Sequence, residues 1–330
     1  MINKKLAILS ASLFLVLILL LLLFFSACSI NLSQKTNAAS LKSASNETQK
    51  GSFETENTSA SLKVLAVETF LTDISQNIAG DKIKVKSFMP IGLDPHDFEP
   101  SPSDAAKIYQ SRVIIINGAG LERYLGKLME NINENQQVII EASKGLISRT
   151  FPDIDPHFWL DPNNVIKYVE NIETGLGKID SNNTSLYDIN STQYIEKLKG
   201  LDRWIRKQVE LIPENQRILV TNHESLGYFA DRYGFKIIGT IIASPDTNSS
   251  PSPKQVAQLI DKIKETGVKA IFLETGSNPQ IAEQVAGETG IKVLLNLYTH
   301  SISEKNGPAP DYISMIKYDV STIVNALSAK

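Results

Sequence analysis

The chain has four histidines, His96, His157, His223 and His300, and a single cysteine, Cys28, at the end of an apolar leader. With no cysteine after residue 28, a transition-metal site must be built from His, Asp and Glu, and no intramolecular disulfide can form. Neutral imidazole is the commonest biological ligand and suits zinc, copper, iron and nickel. One histidine in a loop is more often a surface or satisfied core residue, so the constellation matters more than any member. His96 lies in Gly92-Leu93-Asp94-Pro95-His96, and His157 in Asp155-Pro156-His157-Phe158-Trp159. His223 follows the run Ile218-Leu219-Val220-Thr221, and His300 comes three residues after the run 293–297. Each follows a predicted strand or precedes a predicted helix, and two fall in each half of the body. Asp94 and Asp155, each before Pro-His, read either as acceptors that orient an imidazole or as turn residues. Glu224 reads as a further acceptor or a solvated helix start, and Glu274, at a strand end, as a hydrogen-bonding group between the halves. Trp159 and Tyr298 read as packing around the site.

From residue 62, short apolar runs (64–67, 83–88, 113–116, 138–140, 217–221, 236–242, 270–273, 293–297) alternate with helix-like stretches (70–79, 103–110, 121–131, 225–233, 253–266, 313–327). Such alternation predicts βαβ units and parallel sheets, whose ligands bind at the carboxyl ends of the strands. In the middle, Ile195, Leu198, Leu201, Ile205, Val209 and Ile212 recur at helical spacing, which predicts one helix of about 20 residues, ~30 Å long. The expected fold class is α/β: two lobes, 62–190 and 213–330, each a parallel sheet with flanking helices, joined by a long helix over 191–212. No internal repeat of fixed period is present.

The first 28 residues stand apart. A basic start is followed by an apolar run over 6–25 broken only by Ser10 and Ser12, then by Ser26-Ala27-Cys28. This reads as a secretory signal whose cleavage leaves a lipidated Cys28; the alternative is an uncleaved anchor helix, since the run is long enough to span a bilayer. Both place the body outside the cytoplasm. Residues 29–61, rich in Ser, Thr, Asn, Lys and Ala, bury too little surface to fold and read as a flexible tether that reaches on the order of 100 Å if extended. A net charge of −3 across 330 residues gives no basic bias, so nucleic acid is not expected as a partner.

The motifs together resemble the solute-binding lipoproteins of zinc and manganese ABC importers. The matching stretches are the run from Gly92 to Asp104, Asn117-Gly118 with Leu121-Glu122, the run from Asp155 to Pro162, Thr221-Asn222-His223-Glu224 with Gly227-Tyr228-Phe229, Ser250-Pro251-Ser252-Pro253, Ile271-Phe272-Leu273-Glu274, and Leu297-Tyr298 with Ser301-Ile302. They span 64–327 in the family's order. The resemblance implies two α/β lobes on a rigid helix, with a metal in the cleft and two ligands from each lobe. By position these are His96, His157, His223 and His300. It also implies a monomeric, lipid-anchored, non-enzymatic receptor that delivers its metal to a membrane ABC permease. The fourth position is usually Asp in the family. With His there, the donor set points to Zn2+, with Ni2+, Co2+ and Mn2+ as alternatives. The His/Asp-rich loop that many zinc members carry before the second histidine is missing. Two other readings stay open: a surface adhesin, and a zinc hydrolase with Glu224 as base. Against the hydrolase, there is no His-Glu-x-x-His motif, and four imidazoles leave no evident place for water.

Overall fold

The computed structural model describes residues 62–328 apart from 131, 134, 151, 152, 245, 246 and 248. The expected signal segment 1–28, its lipidation site Cys28 and the tether 29–61 lie outside the described residues. The first half runs β1 (Val64–Ala66), α1 (Thr69–Ala79), β2 (Val85–Ser87), α2 (Pro102–Gln110), β3 (Val113–Ile116), the short α3 (Gly126–Met129), β4 (Val138–Glu141) and α4 (Pro162–Ile179). A long α5 (Thr184–Val209) follows. The second half runs β5 (Ile218–Thr221), α6 (Gly227–Tyr233), β6 (Lys236–Thr240), α7 (Pro253–Thr266), β7 (Ala270–Glu274), α8 (Gln280–Thr289), β8 (Lys292–Leu297) and α9 (Tyr312–Ser328).

The strands form two four-stranded sheets of the same topology, β2-β1-β3-β4 and β6-β5-β7-β8, and every pairing is parallel. The fold is α/β, as the alternation of runs predicts. Central strands β1 and β7 are buried at every residue, which is why they read as unbroken apolar runs rather than alternating ones. Chain order reverses between β1 and β3 in one sheet and between β5 and β7 in the other, so each sheet opens a crevice at its strands' carboxyl ends.

Helix starts follow local chemistry. Ser101 and Asp104 form a reciprocal capping box on α2, and Ser252 and Gln255 form another on α7, each with proline in the first turn. Asp161 caps α4 by accepting from the Asn163 amide at 2.9 Å.

Two elements depart from the sequence reading. The predicted helix over 121–131 is only a 3-10 turn (Arg123–Leu125) and the single turn of α3. Glu122 is drawn back instead: its carboxylate accepts from the Asn117 amide and, at 3.1 Å, from the Gly118 amide. The loop turns on Gly118 (φ 88°), Ala119 (φ 52°) and Gly120 (φ 81°). The long helix starts earlier than predicted and has 26 residues, about 39 Å at 1.5 Å per residue. Its first turns, rich in Ser, Thr and Asn, fall outside the helix predicted over 191–212, but buried Tyr187, Ser191 and Tyr194 extend the stripe of Leu198, Leu201 and Ile205. Tertiary burial overrides weak local propensity there.

One apolar cluster runs through both halves, from Val64 and Phe70 through Trp159, Leu198 and Ile205 to Phe272, Tyr312 and Val320. Trp159 sits at its centre. It stacks on Phe70 with ring centroids 4.4 Å apart, donates its indole N–H to the Thr299 carbonyl at 2.6 Å, and its own carbonyl accepts from the Tyr312 hydroxyl at 2.6 Å. Trp159→Phe keeps the stack but leaves the buried Thr299 carbonyl without its donor. Chemical denaturation of the metal-free protein is expected to show a stability loss of about 1–3 kcal/mol. An unchanged midpoint would mean that this bond does not hold the 298–303 loop.

Candidate metal centre

The four histidines come together in one cluster at the carboxyl ends of the two sheets. His96 sits in the turn after β2, where the Asp94 carboxylate accepts its backbone amide at 2.8 Å, and the same turn is tied to the second half through the Gly92 amide donating to Ser301 Oγ at 2.8 Å. His157 begins the 3-10 turn Phe158–Leu160 that leads into α4. His223 lies two residues past β5 and His300 three past β8. His157 and His223 are 0% exposed and His300 7%; His96 is half-buried.

The rings point their Nε2 atoms at one another. His157 Nε2 lies 3.2 Å from His96 Nε2, 3.2 Å from His223 Nε2 and 3.3 Å from His300 Nε2. All four candidate ligand atoms fall within 4.8 Å of one another. One imidazole nitrogen is either a donor or an acceptor toward a single partner, so hydrogen bonding cannot account for three nitrogens converging on His157 Nε2. A shared cation can.

Carboxylates stand behind the rings. Asp155 Oδ1 accepts from His157 Nδ1 at 2.8 Å and from its backbone amide at 3.0 Å. With the proton held on Nδ1, Nε2 keeps its lone pair for a metal. Glu274, the last residue of β7, places Oε1 2.9 Å from His223 Nδ1 and Oε2 3.7 Å from His300 Nδ1. The shorter approach is an ion-pair contact between the buried carboxylate and the ring. Ser225 Oγ donates to Glu274 Oε1 at 2.8 Å. Asp94 Oδ1 is 4.0 Å from His300 Nδ1, and Asp94 Oδ2 accepts from the Thr247 hydroxyl at 2.9 Å.

Electrostatics follow from burial against these partners. Burial drives His157 well below its usual range, and the neighbouring imidazoles add to that. Burial also dominates at His300, which is lowered although Asp94 and Glu274 pull the other way. Burial is the largest single influence on His223 and lowers it, but Glu274, Asp94 and Asp155 together outweigh it and the ring ends up raised. Burial would raise Glu274, yet His223 and His300 bring it to about 2. Asp155 is lifted by burial to about 7, against the pull of the His157 amide and Arg149.

This geometry meets a consistent set of relatives. The family model of the zinc-uptake complex component A, periplasmic, matches residues 64–326. The chain belongs to this family. It is 34% identical over 268 residues to the manganese-binding lipoprotein MntA of Halalkalibacterium halodurans, covering 81% of this chain and 89% of that one. It is 36% identical over 270 residues to the iron-binding protein YfeA of Yersinia pestis, covering 81% and 86%. Among solved structures, the Mn-bound periplasmic metal binding protein of candidatus liberibacter asiaticus matches with a TM-score of 0.73 at 30% identity, over 80% of this chain and 98% of that one. The periplasmic zinc binding protein TroA of Treponema pallidum shares the fold, with a TM-score of 0.76 at 23% identity over 81% and 99%. The family is one of metal-binding substrate-binding proteins of ABC transporters. No helix among the described residues is long and apolar enough to cross a membrane.

Family membership makes the carboxylates' placement informative. Asp155 is both a turn acceptor and the partner of the His157 ring, and Asp94 chiefly shapes its own turn. Glu274 does not bridge the halves as its strand-end position predicts: its partners His223, His300 and Ser225 all belong to the second half. Glu224 makes no hydrogen bond to an imidazole among the described residues; its amide bonds the Ser244 carbonyl at 3.1 Å, and burial raises its carboxyl. Trp159 packs behind the cluster, 5.2 Å from the His157 ring centroid, whereas Tyr298 pairs with Tyr318 at 5.3 Å. Sequence reading gave no reason to single out Ser225 and Thr247, because an isolated Ser or Thr carries no spacing signal.

Glu274→Gln keeps the shape and removes the anion. In the metal-free protein, the His223 imidazole is expected to titrate by NMR above its ordinary value of about 6.5, and lower in the variant, where only Asp94 and Asp155 still oppose burial. The sign for stability follows. A raised His223 stabilises the fold fully below about pH 6.5 and loses this as pH rises through the folded value. Depressed His157 and His300 act oppositely: stability falls as pH drops below about 6.5, where the unfolded chain takes up the protons.

Proposed function

We propose that the protein captures one zinc ion with His96, His157, His223 and His300 and delivers it to an ABC permease, held at the outer face of the membrane by a lipidated Cys28. The observation that carries the zinc reading is the nitrogen spacing. Four nitrogens set tetrahedrally at 2.0–2.1 Å from zinc are about 3.3 Å from one another, and those around His157 Nε2 lie at 3.2–3.3 Å. Oxygen ligands suit manganese, whereas imidazole suits zinc, nickel, cobalt and copper. No anion touches the metal in this reading; Asp155 and Glu274, and Asp94 more distantly, balance its charge through the rings.

Capture begins at His96, the least buried ring. A cavity of about 180 Å³ opens beside it, lined among others by Pro95, Tyr124, Asp153 and Pro156. The ion exchanges water first for His96 and then for the three enclosed nitrogens. His223, whose charged form Glu274 favours, must release a proton before it binds, so affinity falls as pH drops. Four protein ligands close the shell and leave no position for a catalytic water.

A manganese-binding receptor is the second reading, favoured by the relatives whose names carry that metal. Metal analysis and competition titration of the full chain separate the two. One equivalent of zinc bound far more tightly than manganese, with affinity falling below about pH 6.5, is expected. His300→Ala should weaken zinc by more than the roughly 10–100-fold typical of losing an outer partner. His300→Asp should narrow the gap between zinc and manganese. Manganese preferred by the unaltered chain would overturn the zinc assignment, and no stoichiometric metal at all would overturn the receptor reading and leave adhesion in front.

A further inference from the structure

The edge strand β2 carries lysine on its outer side. Ile83 and Val85 are buried while Lys82, Lys84 and Lys86 alternate with them and are exposed, as a period of two dictates. A cavity of about 660 Å³ opens there, bordered by Lys63, Lys84, Lys86 and Lys107 with Gln110 and Ser111, and no acidic residue lines it. Lys107 pairs with Asp104 at 2.7 Å; Lys63, Lys84 and Lys86 make no ion pair among the described residues. In a chain of net charge −3, this is a local concentration of positive charge. Lysines along an edge strand guard it against pairing with other strands. That accounts for Lys84 and Lys86, but not for Lys63 before β1 or Lys107 on α2, which meet them around one hollow.

The place where the rest of the chain joins identifies the partner. Leu62 itself lines the cavity, so the preceding 61 residues, with their apolar run and Cys28, are joined to the body at this point. Lys63, Lys84 and Ser111 precede parallel strands β1, β2 and β3, whereas the four histidines follow the carboxyl ends of strands. The lysine hollow and the histidine cluster therefore lie at opposite ends of the first sheet's strands.

We propose that this hollow rests on the anionic phospholipid headgroups of the membrane that anchors the chain, so that the metal cleft faces outward during capture. The proposal rests on the anchored-receptor reading. Each lysine near an anionic surface favours contact by roughly fivefold, and the attraction fades beyond a Debye length of about 8 Å at physiological salt. Contact is thus strong enough to bias the tethered body and weak enough to release it for delivery.

The test uses the full chain, purified from membranes and reconstituted into vesicles of phosphatidylcholine alone or mixed with phosphatidylglycerol. Amine acetylation is followed at each lysine by mass spectrometry. Lys63 and Lys84 should react about fivefold or more slowly on the anionic vesicles, with Lys254 unchanged. Protection should vanish in roughly 1 M salt, where the Debye length is about 3 Å. K84E/K86E should restore Lys63 reactivity while zinc binding stays intact, and the unaltered chain's comparison between vesicles stands without the variant. Equal rates on both vesicles would overturn the proposal. Protection by soluble polyphosphate but not by anionic lipid would overturn it in favour of a phosphate polymer. A chain that does not float with neutral vesicles would overturn the anchor itself, which separates failure of that reading from failure of this one.

Discussion

The enclosure of four imidazoles with their Nε2 atoms facing inward is the constraint on which the rest depends. Removing polar nitrogens from water without partners is unfavourable, and only the Nδ1 side of each ring is available to the protein once Nε2 is turned to the centre. The answer is carboxylate placed behind the rings. Asp155 holds His157 at 2.8 Å, and Glu274 lies 2.9 Å from His223 and 3.7 Å from His300. Negative charge thus stands one step behind the cluster, on the Nδ1 side of the rings, without displacing a nitrogen from its centre.

The two sheets, alike in topology, use their switch points differently. In the second sheet, His223 follows β5 and Glu274 ends β7, so the crevice itself supplies a histidine of the cluster and its carboxylate partner. In the first, the corresponding crevice holds Glu68, after β1, and Asn117, after β3, and its chemistry is structural. Glu122 accepts the Asn117 and Gly118 amides. The Asn117 side chain then donates to the Pro156 carbonyl at 3.1 Å, one residue before His157. Burial raises Glu122 to about 7 and Glu68 well above its usual value, and Glu122, through the amides it holds, serves as a hydrogen-bonded prop behind the His157 loop. The first half's histidines, His96 and His157, arrive on loops after β2 and β4, outside the crevice.

Much of this was legible in the residues. The four histidines stand out because the body has no cysteine, and their positions near strand ends follow from β-branched runs alone. Asp-Pro-His at 94–96 and 155–157 pointed to turn and ring partners together, and at Asp155 both roles hold. What escaped was long-range pairing. Nothing local marks Ser225 as a partner for residue 274, or Thr247 as one for residue 94. Nor does anything local show that Glu122 would give up a helical start to cap amides four and five residues back. The early turns of α5 escaped for a related reason: Tyr187 and Ser191 earn their helix from neighbours in α1 and α4, which a one-dimensional pattern does not contain.

Sharing of anions makes the two halves unequal. His157 has Asp155 close to itself, whereas His223 and His300 divide the carboxylate of Glu274, their rings stacked at a centroid distance of 5.0 Å. A proton taken up by His223 therefore strengthens its hold on Glu274 and weakens what Glu274 offers His300. A change at one histidine of the second half thus reaches the other, while His157 stays fixed by a separate carboxylate and by Trp159 behind it. The apolar cluster that runs through both halves resists wide opening, so coupled loosening of this pair, rather than separation of the sheets, is the motion the packing leaves open for release.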